Sequence, residues 1–326
     1  MTRIHRRQFM ATATAVAAAA APGFSLAQAG YPNKPVKIIV PLPAGGAADA
    51  GARIVSAHLQ TLLKQPVVID NKPGGSYVIG VQATVSAPAD GYTLIAVNTG
   101  MAAAQATMKR YDLLKSLTPI TQIGLTPCLL VVSTQSKFTS MAELIAYGKA
   151  NPGKLNFGSV GIGSLEHLWV SMFSKAAGIE VTHVPFKGMP DALVALAQGE
   201  IQFIPAVLPA AAPFIEKKAI RPLGLLSDKR NPGTPDIPTL KEQGFNVPPM
   251  EFWSGYAVAA GTPAPVVERL RRELTATASD PAVKEKFAGM STTVVISNGP
   301  TDFAKLIGAD LRWMATTAKA ADIRLE

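Results

Sequence analysis

The sequence predicts an α/β fold in two lobes, each a mostly parallel sheet flanked by helices, with a ligand cleft between them. Three observations lead there. From Lys34 onward, short apolar segments alternate with amphipathic ones at the spacing of strand–helix–strand units, a pattern that builds parallel sheets covered on both faces. Two of the strands run into glycine-rich turns that open helices, one at 38–55 and one at 156–168. Near 118–133 two apolar runs, 120–124 and 128–133, follow one another with too little chain between them for a helix. A connection that lacks its helix is where a chain can cross from one lobe to another. Roughly 300 residues beyond the leader is also long for a single core.

The first 29 residues read as a cleavable signal. Arg3, Arg6 and Arg7 make a basic start, Met10 to Ala21 is Ala-rich and apolar, and small residues suit cleavage after Ala27 or Ala29. Arg6-Arg7-Gln8-Phe9 also resembles a twin-arginine signal, and either export route takes the product out of the cytoplasm. Taking the three leader arginines from 31 basic residues leaves 28 against 22 acidic, a net charge of +6. The basic residues are scattered and aromatics make up only 6%. No stripe follows a phosphate backbone, which argues against nucleic acid as a partner. Cys128 is the single cysteine, so no intramolecular disulfide forms; its apolar run marks it as a buried thiol.

In chain order, 36–41 reads as a strand and 49–63 as a helix, 66–70 as a second strand, 71–75 as a loop into another helix, and 92–97 as a third strand. After the crossing, 141–150 is helical and 155–159 a strand. A helix follows from Ser164 to Ala177, stopped by Gly178. Strands at 181–185, 201–204 and 220–226 complete the second lobe. Gly and Pro become dense near 244–249, a strand at 252–260 returns the chain, and a helix at 263–279 rejoins the first lobe. Glu268, Arg269, Arg271, Arg272 and Glu273 are expected on its solvated face. The expected division is 1–29 leader, 30–126 first lobe, 127–248 second lobe and 249–326 return segment, with the last helix free to pack on the second lobe.

The two glycine turns carry the chemistry. A helix start leaves amide groups without acceptors and the positive end of the helix dipole behind them, and glycine lets that backbone approach a ligand closely. Strand, Gly turn and helix together seat an anion. With Ala44-Gly45-Gly46 on one lobe and Gly161-Ile162-Gly163-Ser164 on the other, the two seats would clamp a small carboxylate from both sides, outside the carboxyl ends of the strands.

Six stretches, in order, resemble the Bug-type periplasmic solute-binding proteins of tripartite tricarboxylate transporters. They are Tyr31-Pro-Asn-Lys-Pro35, Pro41 to Arg53, Asp70-Asn-Lys-Pro-Gly74, Ala89-Asp-Gly-Tyr-Thr-Leu94, Gly158 to Leu168 and His183-Val-Pro-Phe-Lys-Gly188. The resemblance covers nearly the whole mature chain. It implies a type II periplasmic binding fold that closes like a hinge on an organic anion and uses no cofactor. It also implies a monomeric receptor that hands its ligand to membrane subunits of such a transporter. Pro43, Ala44, Gly45, Gly46 and Asp49 would then serve one side of the site, and Gly161, Ile162, Gly163, Ser164 and His167 the other. Thr99, at the end of the third strand, would line the same cleft, and Phe186 would lie close by. Lys187 reads equally as a charge partner of the ligand or as a solvated turn residue. Many relatives carry Asp where this chain has Ala206, and Ala47-Ala48 replaces a frequent Ala-Thr pair. Both changes make the cleft less polar and point to an aromatic or medium-chain dicarboxylate.

Other readings fare worse. Ser164 and His167 share a helix face, but the position two beyond Ser164 is Glu166, so there is no Gly-x-Ser-x-Gly elbow for an exported hydrolase. His58, His167 and His183 lack zinc-ligand spacing. The first turn lacks the G-x-G-x-x-G of a dinucleotide site. A receptor of this shape that presents its ligand to a sensor kinase has no distinguishing signature in the sequence.

Overall fold

A computed structural model describes residues 30–231 and 233–323; the predicted signal therefore lies outside the described residues. The opening segment builds β1 (Val36–Val40), α1 (Ala47–Leu63), β2 (Val67–Asn71), α2 (Val78–Val85), β3 (Thr93–Asn98) and α3 (Thr99–Met108). Strand β1 lies between β2 and β3, parallel to both. Its side chains Val36, Ile38 and Val40 are fully buried against Val55, Leu59 and Leu63 of α1. The helix residues recur every four positions, a spacing that keeps one helix face on the sheet.

A short helix α4 (Leu113–Ser116) leads into β4 (Leu117–Ser133), which corrects one expectation. The two apolar runs are a single 17-residue strand, carried through Gly124 and Pro127 without a break. Register shifts near Pro119 and Gln122 absorb the residues that do not fit the ladder. Along Leu117–Pro127, β4 pairs antiparallel with β9 (Glu251–Ala259); along Cys128–Ser133 it pairs with β7 (Phe203–Val207) and β8 (Ile220–Leu225). One strand therefore belongs to both halves of the molecule.

The second half adds α5 (Met141–Ala150), β5 (Leu155–Ser159), α6 (Leu165–Ala177), β6 (Val181–Pro185), α7 (Met189–Gln198) and α8 (Leu208–Glu216). Strands β5, β6 and β7 run parallel, and the main path through the sheet is β2-β1-β3-β9-β4-β7-β5-β6, with β8 beside β4 off that path. The strand expected at 201–204 is displaced toward Val207. Helices α3, α7 and α8 add to the expected elements.

After β9, α9 (Ala264–Ser279) buries Val266, Val267, Leu270 and Leu274 in the cluster that holds β1 and α1. Glu268 and Arg271 pair on its exposed side, 2.6 Å apart. Glu273 departs from the expected solvated face: it is buried, with Arg269 and Arg272 closing over it at 2.9 Å each. Helix α10 (Pro281–Gly289), β10 (Thr293–Val294) and α11 (Pro300–Ala320) finish the chain. Trp169, Trp253 and Phe303 share one apolar cluster with residues of β3, β4 and β5, so the two halves have a common core on that side of the sheets. No described helix is long and apolar enough to cross a membrane.

Candidate functional site

The first turn leaves the carboxyl end of β1. Pro43, Ala44, Gly45, Gly46 and Ala47 are all exposed. Gly45 has φ of 84°, a left-handed conformation that favours glycine. Gly46 caps α1 with no side chain covering the helix start. Asp49 is buried, and its Oδ2 accepts hydrogen bonds from the Gly45 amide and from Arg53 Nε, both at 2.9 Å. Arg53 first, and the Gly45 N–H second, hold the carboxyl down at about 2. Asp49 is thus an ionised brace inside the turn.

The second turn repeats the device with different chemistry. It leaves β5 through Gly161 (φ 129°) and Gly163 (φ 76°), and Ser164 caps α6 by accepting the His167 amide at 3.4 Å. Gly163 donates its N–H to His167 Nδ1 at 3.1 Å. In both turns, then, a glycine amide is held by the side chain four residues on: Gly45 by Asp49, Gly163 by His167. An accepting Nδ1 means that His167 is neutral, with its proton on Nε2.

Two residues missed at the sequence level support this turn from behind. Ser159 Oγ accepts the Gly161 amide at 3.1 Å and is hydrogen-bonded to His183 Nε2 at 2.6 Å. The imidazoles of His183 and His167 stack with centroids 3.8 Å apart, and Phe157 stacks on the far face of the cluster at 4.9 Å from His183. Burial lowers both histidines. His183 falls to about 4, first through desolvation and second through its neighbour His167. The sign follows from linkage: a histidine lowered from 6.5 stabilises the fold fully above its unfolded value. That contribution is lost as pH falls toward 4. We expect the melting temperature to drop between pH 6.5 and 4, and His183→Gln to flatten that drop; thermal unfolding across this range checks it.

The turns flank two neighbouring cavities. One, of about 210 Å³, has Val160, Ile162, Gly163 and Ser164 on one wall and Ser76, Tyr77 and Gly100 on the other. The second, of about 90 Å³, is lined by Ala47 and Ala48 beside the first turn, with Asn98 and Ser254. Phe252 lines both, an apolar floor between the two turns that sequence reasoning did not single out. Gly100 is small for a reason: a Cβ there would lie 2.4 Å from the Tyr77 hydroxyl. A larger cavity, of about 660 Å³, lies between α8 and Ser291–Val294 and contains none of the expected site residues.

Other expected residues lie elsewhere. Thr99 is 1% exposed, and its hydroxyl accepts the Trp253 amide at 2.8 Å, tying α3 to β9. It borders a separate cavity of about 280 Å³ with Asp310 and Trp313, because the helix it begins turns its side chain under β9. Ala206 is fully buried in β7 opposite Leu129. Phe186 is half-buried, its amide donating to Ser159 O at 2.9 Å, and Lys187 is exposed. Trp253 is 1% exposed and packs edge-on against Phe303.

Residues 51–320 match the family model described as the tripartite tricarboxylate transporter family receptor. Protein BugT of Bordetella pertussis is 34% identical over 271 residues, covering 82% of this chain and 83% of that protein. A solved R. palustris protein with adipate is 32% identical, covers 90% of this chain and 99% of its own, and superposes with a TM-score of 0.78. The periplasmic binding protein BugD is 27% identical, with coverage of 91% and 100% and a TM-score of 0.74. The architecture is the two-lobed periplasmic binding fold.

Proposed function

Because the chain belongs to the tripartite tricarboxylate transporter receptor family, whose members are solute receptors and not enzymes, we propose that it is a periplasmic receptor for a small dicarboxylate. In this reading the lobes are 30–126 with 249–326, and 127–248, hinged where β4 and the segment leading into β9 cross between them. Closure brings Ala44 to Gly46 and Gly161 to Ser164 onto opposite ends of the ligand. The observation that carries it is the pair of braced glycine turns, each opening a helix at the carboxyl end of a parallel strand, with Phe252 between them. The braces hold the amides of Gly45, Gly161 and Gly163 and leave those of Ala44, Gly46 and Ile162 to bind carboxylate oxygens, and the apolar floor suits an unbranched or aromatic spacer. Adipate, held by a relative at 32% identity, has that form. Binding shifts an open–closed equilibrium, and the closed form is what the membrane subunits of the transporter recognise.

Thermal unfolding of residues 30–326 against mono-, di- and tricarboxylates, amino acids and sugars tests the reading. A specific ligand at 100 times its Kd adds about 2.7 kcal/mol. Stabilisation by dicarboxylates alone is the expected result; stabilisation by sugars in place of acids would refute the anion seats.

A further inference from the structure

Glu166 stands in the first turn of α6, beside the second glycine turn, and forms part of the wall of the 210 Å³ cavity. It is 7% exposed, and its Oε2 has no hydrogen-bond partner among the described residues. Burial raises the carboxyl, and the nearby amides of Glu166 and Val160 and the Ser164 hydroxyl oppose that rise only in part; one oxygen is left unused. The cavity wall contains no Lys, Arg or His. The titratable groups that face Glu166 are Tyr77, from the loop before α2, and Cys128 of β4, both buried and both bearing their protons. On its own helix, His167 is neutral and turned to Gly163. This is the reverse of Asp49, whose charge is matched by Arg53.

An ionised carboxylate sealed among neutral groups pays desolvation with no counter-charge. A second anion brought into the same cavity would add repulsion. A protonated carboxyl removes both costs and turns the unused oxygen into a donor. Resting on the receptor reading above, we propose that Glu166 binds ligand in its protonated form and donates a hydrogen bond from its carboxyl to a ligand carboxylate oxygen. The proton stays on the Glu166–ligand pair, and the short O–H···O⁻ bond is of the charge-assisted kind. Where free Glu166 is ionised, each ligand bound brings one proton with it. Burial already pushes this carboxyl above the ordinary glutamate range, in the direction the pairing requires.

The test is calorimetric titration of the mature protein with adipate from pH 5 to 8, in buffers of differing ionisation enthalpy, with Glu166→Gln beside the wild type. We expect wild-type affinity to fall by up to ~10-fold per pH unit at the upper end, with buffer-dependent heats that report proton uptake. Glu166→Gln, which keeps an N–H donor and cannot titrate, should bind adipate with a flat pH profile and buffer-independent heats. Wild-type binding that is flat in pH and independent of buffer overturns the proposal while leaving the receptor reading intact, and does so whether or not the variant folds. Tighter binding of glutamate than adipate, lost in Glu166→Gln, also overturns it, since Glu166 would then be an ionised acceptor for an ammonium. Binding of no dicarboxylate by the wild type overturns the receptor reading and this inference together.

Discussion

Replacing Gly161 with valine is expected to weaken carboxylate binding about 100-fold without unfolding the protein. Gly161 has φ of 129°, a region that residues with a Cβ rarely enter, at a cost of about 1–3 kcal/mol. An added Cβ meets nothing within 4 Å, so the cost is conformational and not steric. The chain relieves it by moving the turn, and the Gly161 amide then leaves Ser159 Oγ, the contact that couples the turn to His183. The donors of the second seat move with it. Gly153→Val is the matched control: φ of 71° in the same half of the molecule, also open to solvent, and remote from both cavities. Titration with adipate should find Gly153→Val near wild type and Gly161→Val at the edge of detection. Equal affinities would remove the second turn from the site.

The largest stability effect is expected at Trp253. It is 1% exposed, packs at 90° against Phe303 with ring centroids 5.4 Å apart, and donates its indole N–H to Asp310 Oδ2 at 2.6 Å. Trp313 Nε1 holds the other oxygen at 3.0 Å, so two indoles share one half-buried carboxyl that burial pushes upward. Trp253→Ala opens a cavity in the core common to both halves and strips Asp310 of one donor. Such a truncation costs about 3–5 kcal/mol and lowers the melting temperature by roughly 10 °C. Trp253→Phe keeps an aromatic ring in the core, loses the hydrogen bond and part of the buried indole, and should fall between. Denaturant unfolding of both variants measures this. An alanine variant within 1 kcal/mol of wild type would mean that the ring is not a core element.

The glycine turns were legible in sequence because their cause is local. Glycine supplies the positive φ, and Ser164 advertises a helix start within four residues. Strand β4 was not, because Gly124, Thr126 and Pro127 look like a break in isolation. Pairing along the whole length of β9 overrides those local preferences. Helix α3, reading TGMAAAQATM, shows no apolar stripe because it is packed on more than one side, so periodicity had nothing to detect. The supports of the site were hidden for a different reason. Ser159 meets His183 across 24 residues, and Tyr77 meets Gly100 and the second turn only in space. Glu166 entered the sequence reading only as the residue that rules out a serine elbow; its burial without a basic partner, where Asp49 has Arg53, is visible only in three dimensions. Asp49 and His167 were anticipated beside the ligand, and the geometry gives each a brace to a glycine amide.

The central claim is that two lobes close so that the two glycine turns hold one dicarboxylate. Spin labels on exposed positions of the two halves, Thr61→Cys and Lys154→Cys, read this directly, and native Cys128 is fully buried and stays unlabelled. The double electron–electron resonance distance between them should move to a single narrower distribution when adipate is added. The same addition should leave Gly161→Val unchanged. Saturable binding of adipate with no change in the distance distribution would contradict the clamp.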